Sequence, residues 1–105
     1  MAAPTQIMST PLSTSTTVLV VGAGIMGAGI AQVAAQAGHP VLLHDTREGA
    51  AAAAIGKLST TLDGLVAKGK MVASAAQAAL ARITPVNDIS QAASAGLVVE
   101  AIVED

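Results

Sequence analysis

The stretch that decides the fold is residues 17–45, TVLVVGAGIMGAGIAQVAAQAGHPVLLHD. It opens with an apolar, β-branched run that is typical of a strand buried on both faces of a parallel sheet. Apolar residues then recur at helical spacing over residues 25–37, Gly38 stands where a left-handed helix cap belongs, and Pro40 follows it. Residues 41–45 form a second apolar strand. A strand, helix and strand joined this tightly predict a right-handed βαβ unit.

A glycine-rich loop, GAGIMG, lies between the first strand and the helix. The GxGxxG pattern is weak alone, but a position directly after a strand and at the start of a helix is the context that a dinucleotide-binding loop requires. Gly22 would permit the tight turn, Gly24 would let a pyrophosphate approach the backbone, and Gly27 would let helix and strand pack closely. The free N–H groups at the helix start would bind the phosphate charge. The candidate cofactor-binding residues of this loop are Gly22, Ala23, Gly24, Ile25, Met26 and Gly27.

An acidic residue, Asp45, ends the second strand 21 residues after Gly24. An acid at this position accepts hydrogen bonds from the adenosine ribose and repels a 2′-phosphate, so Asp45 favours NAD over NADP. Arg47 is the competing signal, because a nearby arginine accommodates that phosphate. The alternative, in which the glycines serve only a tight turn and Asp45 caps a loop, is disfavoured because strand, glycines, helix and acid are all in register.

Two further helices are predicted after the βαβ unit. The first has Thr46 as its N-cap and Glu48 in its first turn, and it ends at Gly69. Its apolar residues are spaced by three and four, which predicts one buried face. The second helix is indicated by Ser74 and Gln77, which have the spacing of a capping box.

The remaining segments predict two strands with a short helix between them. Residues 83–86 are typical of an edge strand because Pro85 cannot donate to the ladder. Asp88 starts the short helix, Gly96 closes it, and residues 97–103 form the most strand-like run. The fold class is therefore α/β, a Rossmann-type parallel sheet with helices on both faces, truncated after the fourth strand. An apolar strand with an unpaired edge leads us to expect a fragment of a longer protein.

Composition excludes several classes of function. The 105 residues include no cysteine and no aromatic residue, with seven acidic against five basic side chains. Disulfide scaffolds, cysteine-based zinc sites and thiol nucleophiles are therefore excluded, and nucleic acid is disfavoured as a partner. The sequence contains no run of 18 apolar residues, so no membrane span is predicted. We expect residues 1–16 to be a disordered tail without a targeting signal and residues 17–105 to form one incomplete domain.

From residue 17 onward the sequence resembles the NAD-binding domain of the 3-hydroxyacyl-CoA dehydrogenases. The resemblance rests on residues 18–45 and on three later pieces: LVAKGK (65–70), ARITPVND (81–88) and LVVEAIVED (97–105). It implies NAD as the cofactor and oxidation of a (3S)-3-hydroxyacyl-CoA to a 3-oxoacyl-CoA, in fatty acid β-oxidation or a related pathway. It also implies a homodimeric parent enzyme. The lack of a targeting signal and of cysteine leads us to expect a cytoplasmic location.

The resemblance also assigns roles to individual residues. Asp45 would hold the adenosine ribose, and Thr61 and Lys68 would contact CoA. The segment after the last strand would pass beside the cofactor, with the candidates Ala101, Ile102, Val103 and, near the nicotinamide, Glu104. The family's catalytic His–Glu pair and its supporting Asn and Ser come from segments beyond residue 105, so no catalytic residue is assigned and these 105 residues alone are expected to be inactive.

Helical geometry independently groups the candidate CoA residues. At 100° per residue, Thr61 and Lys68 fall within about 20° of one another, and Lys57 lies nearby. This stripe of lysine and hydroxyl groups would suit phosphate, although a solvated helix face has the same appearance.

Three alternatives stay open at this point. The chain would also suit another NAD(P)-dependent β-hydroxyacid dehydrogenase, a flavin-binding Rossmann domain, or a non-catalytic dinucleotide-binding module. His39 and His44 are expected to be structural or exposed. Glu100 either meets a donor near the cofactor or faces solvent.

Overall fold

The structure, a computed structural model, describes residues 16–92 and 95–101. Its elements, in chain order, are β1 (Val18–Val21), α1 (Ile25–Gln36), β2 (Val41–His44), α2 (Ala50–Ala67), α3 (Ala73–Ala81), β3 (Ile83–Pro85), a 3₁₀ helix (Ile89–Ala92) and β4 (Leu97–Glu100). This is the predicted order, with the last helix reduced to a single 3₁₀ turn. None of the helices in these ranges is both long and apolar enough to cross a membrane.

The four strands form one parallel sheet in the order β3-β2-β1-β4. The chain runs outward from β1 through β2 to β3 and then crosses back to pair β4 with the other side of β1. Such a reversal of strand order opens a crevice at the carboxyl ends of β1 and β4, where open α/β sheets bind their ligands. The predicted Rossmann-type α/β fold is confirmed.

Packed segments cover the centre of the sheet on both faces. On one face, Val18 and Val20 of β1 pack with Leu43 of β2 against the small buried residues of α1, α2 and α3. On the other face, Leu19 and Val21 pack against the segment that connects β3 with β4 and contains the 3₁₀ helix. The strand β1 is therefore apolar at every residue, because it is buried on both of its faces.

Both long helices end where a glycine was predicted to end them. After α1, the Gly38 N–H donates to the Ala35 carbonyl and the His39 N–H to the Ala34 carbonyl, each at 3.1 Å, with Gly38 at φ 104°. This is a Schellman cap, which needs a left-handed residue. Gly69 repeats the arrangement after α2, with φ 73°.

The predicted start of α2 is wrong. Thr46 is not the N-cap, since the helix begins at Ala50 with Gly49 as its N-cap residue, and Glu48 therefore precedes the first turn. The reason is local, because the Asp45 carboxylate accepts the backbone N–H two residues further on at 2.8 Å and folds this segment into a turn.

The predicted capping box of α3 is also wrong. Ser74 lies inside the helix, whose N-cap residue is Val72 and which has no side-chain cap. Asp88 does cap the 3₁₀ helix as predicted, because its carboxylate accepts the backbone N–H of Ser90 at 2.9 Å. That hydrogen bond lowers the pKa of Asp88 from its ordinary value.

Candidate functional site

Three chain segments meet at the carboxyl edge of the central strands. Gly22 follows β1 and donates its N–H to the carbonyl of His44, the last residue of β2, at 2.7 Å. Ala101 follows β4 and donates its N–H to the carbonyl of Val21, also at 2.7 Å. Asp45 continues directly from β2. The glycine loop, the acid and the segment after β4 therefore lie side by side at the topological switch point.

The glycine loop is packed at backbone contact. Gly22 has φ 108°, a conformation that favours glycine. A Cβ added to Gly27 would overlap the carbonyl oxygen of Gly22 and would lie 3.5 Å from the Cβ of Ala101. The first turn of α1 thus rests directly on the end of β1. The tight turn at Gly22 and the close packing at Gly27 are the conformational roles that the GxGxxG pattern predicts.

Gly24 has a different environment from the other two glycines of the pattern. It precedes the first residue of α1 in extended conformation (φ −74°, ψ −168°), and nothing lies within 4 Å of a Cβ built on it. The N–H groups in the first turn of a helix have no intrahelical acceptor. Open space in front of these donors fits the phosphates of a dinucleotide, so the loop suits this cofactor. Ile25 and Met26 flank the opening and are 95% and 60% exposed.

The Asp45 carboxylate accepts four hydrogen bonds. Its Oδ2 accepts the backbone N–H of Ala23 at 2.7 Å and Nη2 of Arg47 at 2.9 Å. Its Oδ1 accepts the backbone N–H of Arg47 at 2.8 Å and Nε of the same residue at 3.0 Å. The Asp45 side chain is only 7% exposed, whereas that of Arg47 is 68% exposed.

The titration of this pair follows from its geometry. The hydrogen bonds from the Arg47 side chain, aided by the N–H of Ala23, hold the pKa of Asp45 well below its usual value, against the opposing effect of burial. The carboxylate in turn raises the pKa of Arg47. Asp45 is therefore ionised at every physiological pH.

A cleft of about 470 Å³ separates the glycine loop from α2. Its lining includes Gly24, Arg47, Lys57 and Thr61, so two basic residues and a threonine border the cleft. The Thr61 hydroxyl donates to the Lys57 carbonyl at 3.1 Å. Lys68 is the C-cap residue of α2, roughly 10 Å further along the helix axis, and does not line the cleft.

A second cleft of about 410 Å³ lies at the carboxyl ends of β2 and β3. Asp45 and Arg47 line it together with Pro85, Val86 and Asn87. Arg47 borders both clefts, a position that was not predicted from the sequence. The sequence did contain a signal for this contact, because Arg47 stands two positions after Asp45 and a turn there brings the two side chains together.

The remaining candidates have separate surroundings. The buried His44 uses Nδ1 to donate to the Val86 carbonyl at 3.1 Å, and Nδ1 of His39 lies 3.1 Å from the Thr16 carbonyl oxygen. Both contacts tie loops together, as expected for structural histidines. Glu100 is exposed at the end of β4. The candidates Ile102, Val103 and Glu104 lie outside the described residues.

Comparison with known proteins identifies what the chain is similar to. Residues 17–105 match the family model described as "3-hydroxyacyl-CoA dehydrogenase, NAD binding domain". The chain is 47% identical over 88 residues to a 3-hydroxyadipyl-CoA dehydrogenase of Escherichia coli, covering 84% of this chain and 18% of that protein. It is 44% identical over 86 residues to a probable 3-hydroxybutyryl-CoA dehydrogenase of Deinococcus radiodurans, covering 82% and 31%.

Solved structures give the same result. The crystal structure of 3-hydroxybutyryl-CoA dehydrogenase from Escherichia coli superimposes with a TM-score of 0.83 at 45% identity, over 90% of this chain and 20% of that one. A (S)-3-hydroxybutyryl-CoA dehydrogenase from Ralstonia eutropha gives a TM-score of 0.79 at 35% identity, over 85% and 31%. The chain thus spans about a fifth to a third of the length of these proteins.

Proposed function

Because the chain belongs to the family of 3-hydroxyacyl-CoA dehydrogenase NAD-binding domains, we propose that it forms the cofactor-binding part of an enzyme that oxidises (3S)-3-hydroxyacyl-CoA to 3-oxoacyl-CoA. NAD is the cofactor, and when bound it supplies the acceptor for the hydride of the substrate. The observation that carries the proposal is the contact of Gly27 with Gly22 at the same sheet edge as Asp45.

Each part of the site has a proposed role. The open N–H groups at the start of α1 bind the pyrophosphate, and Gly24 keeps side-chain atoms away from it. The ionised Asp45 carboxylate orients the adenosine ribose. The proposed cofactor-binding residues are Gly22, Ala23, Gly24, Ile25, Met26, Gly27, Asp45, Ala101, Ile102, Val103 and Glu104, the last three from the family resemblance alone.

The acyl-CoA substrate is proposed to contact α2 through Thr61 and Lys68. The cationic cleft beside Thr61 supports this for the first residue, because Arg47 and Lys57 attract the phosphates of CoA. For Lys68 the support is the shared helix face and the family resemblance.

The remainder of the proposal concerns the parent enzyme. The catalytic His–Glu pair belongs to a further part of that enzyme, so residues 1–105 bind cofactor without turning substrate over. Residues 17–105 are the proposed limits of the cofactor domain within this chain, and residues 1–16 lie outside those limits. We extend the proposal, from the resemblance, to a homodimeric parent, and, from the lack of a targeting signal and of cysteine, to a cytoplasmic location.

The experiment that tests the proposal is a titration of the ¹⁵N-labelled chain with NAD, followed by amide NMR. The expected shifts are concentrated at Gly22, Gly24, Gly27 and Asp45, while the amide of Gly69 at the far end of α2 stays in place. A well-dispersed spectrum that does not respond to NAD would overturn the proposal. A separate titration with CoA is expected to shift Thr61 and leave Gly38 unaffected.

A further inference from the structure

Asp45, the proposed acceptor for the ribose hydroxyls, already accepts as many hydrogen bonds as its two oxygens allow. A carboxylate offers about four acceptor positions on its two oxygens. All of them are used in Asp45, two by backbone N–H groups and two by the guanidinium of Arg47. A ribose diol brings two O–H donors of its own, so it can bind Asp45 only by displacing donors that are present.

Of the donors bound to Asp45, the guanidinium of Arg47 is the one that a ribose displaces. The N–H groups of Ala23, in the glycine loop after β1, and of Arg47, in the turn after β2, are held in place by the backbone. The Arg47 side chain, by contrast, is 68% exposed, and an ion pair with an exposed partner is weak because water competes for both charges. Replacing this ion pair with a ribose diol therefore has a small free-energy cost. Each NAD molecule that binds has to overcome it.

The displaced guanidinium stays beside the ribose. Arg47 is two residues from Asp45 and borders both clefts that meet at this point, so its side chain can swing aside without leaving the site. A guanidinium has a planar fork of donors that matches a phosphate. A phosphate on the 2′ position of the ribose would pair with this guanidinium, whereas a 2′-hydroxyl would not.

We propose that Arg47 is a specificity-determining residue of the cofactor site. In the free chain it occupies the ribose acceptor Asp45 and competes with NAD. When the cofactor carries a 2′-phosphate, Arg47 pairs with that phosphate and offsets the repulsion from Asp45. The site therefore prefers NAD but discriminates against NADP less strongly than Asp45 alone would. This inference rests on the proposed function, since it needs the ribose at Asp45.

The test is the dissociation constant of NAD and of NADP for the chain and for two variants. Arg47→Ala is expected to bind NAD about threefold more tightly, because no ion pair has to be broken. It should bind NADP about tenfold more weakly, because the phosphate loses its bidentate partner. Arg47→Lys, which keeps the charge but not the fork, should retain part of the NADP affinity.

Lys57→Ala is the matched control, because it removes a cation from the same cleft without touching Asp45. It is expected to change both affinities by the same factor. If Arg47→Ala weakens NAD and NADP equally, or alters neither, the inference is wrong while the proposed function stands. If the wild-type chain and all variants bind neither nucleotide, the proposed function is wrong and the inference falls with it.

Discussion

At the scale of single residues, the contact between Gly27 and Gly22 is the tightest constraint on the site. Gly27→Ala would drive a Cβ into the backbone carbonyl of Gly22, and backbone cannot yield as a flexible side chain would. We expect this variant to lose NAD binding and to unfold at lower urea concentration, because α1 must move away from β1. Far-UV circular dichroism and an NAD titration measure the two effects.

Gly29→Ala is the control for this prediction. Gly29 lies in α1 two residues later, is exposed, and has nothing within 4 Å of an added Cβ. Alanine there should stabilise the helix by about 0.5–1 kcal/mol. Equal behaviour of the two variants would contradict the role assigned to Gly27.

The ion pair of Asp45 predicts a pH dependence of stability. Because its pKa in the folded chain lies below its usual value of 3.8, the stabilisation is fully present above about pH 4 and is lost as the pH falls through the folded-state pKa. Asp45→Asn is therefore expected to cost about 1 kcal/mol at pH 7, a modest value because Arg47 is exposed. The difference between variant and wild type should shrink towards pH 2.

Urea denaturation followed by circular dichroism measures this difference, since the chain has no aromatic residue for fluorescence. Asp63→Asn removes the same charge from an exposed position of α2 and serves as control. A stability difference for Asp45→Asn that is the same at pH 7 and pH 2 would exclude the ion pair as its cause.

At the scale of elements, glycine has different roles after the C-terminal end of α2 and in its interior. Gly69 has φ 73° and nothing within 4 Å of an added Cβ, so Gly69→Ala has only a conformational cost, roughly 1 kcal/mol. Gly56 lies inside α2 with equally open surroundings, and Gly56→Ala should instead stabilise by about 0.5–1 kcal/mol. Chemical denaturation of the two variants should therefore shift the midpoint in opposite directions; shifts of the same sign would contradict the cap.

The contrast between helix ends and helix starts explains what the sequence could predict. Gly38 and Gly69 mark helix ends because only a left-handed residue suits a Schellman cap. Thr46 and Ser74 suggested helix starts that the structure does not have. Serine and threonine bond to local backbone in several conformations, so their presence at capping spacing does not fix which turn forms.

In the site too, the features that the backbone sets were predictable from the sequence, and the features that depend on side chains were not. The positions of the glycine loop and of Asp45 follow from the βαβ pattern, because strand ends of a parallel sheet share one edge. The saturation of Asp45 by Arg47 was not predicted, since it depends on a turn that displaces the start of α2. Angular position on α2 grouped Thr61 with Lys68, but only the former lines the cleft, because distance along the axis separates them.

At the scale of the whole molecule, the core is built from small residues. The largest fully buried side chains are two leucines and two valines, and six of the eight buried helical residues in the main core cluster are alanines. Alanine lets helices approach the sheet closely but buries little apolar area. Each core leucine therefore supplies a larger share of the buried apolar area. Leu62→Ala is expected to cost about 2–5 kcal/mol.

Denaturation by urea measures this loss, and Leu65→Ala, at a half-buried position of the same helix, is the matched control. The substitution at Leu65 should have the smaller effect, since less area leaves the core. A larger effect at Leu65 would contradict the packing of α2 described above.

The two edges of the sheet formed by the described residues differ in polarity. At one edge, β4 exposes Leu97 and Val98, which are 40% and 54% exposed, and the other edge is the short β3 with Thr84 and Pro85. An apolar edge strand with free N–H and C=O groups is a template for pairing with another chain, whereas a proline shortens such a template. We therefore expect the 105-residue chain to associate through β4 as its concentration rises.

Val98→Lys places a charge on that edge and should lower the self-association measured by sedimentation velocity over a range of concentrations, because a lysine cannot be desolvated cheaply between two strands. Thr84→Lys adds the same charge at the opposite edge and should leave association unchanged. The pair separates an edge effect from a change in net charge. If both variants reduce association equally, general repulsion is the cause, and β4 is not the surface through which the chains meet.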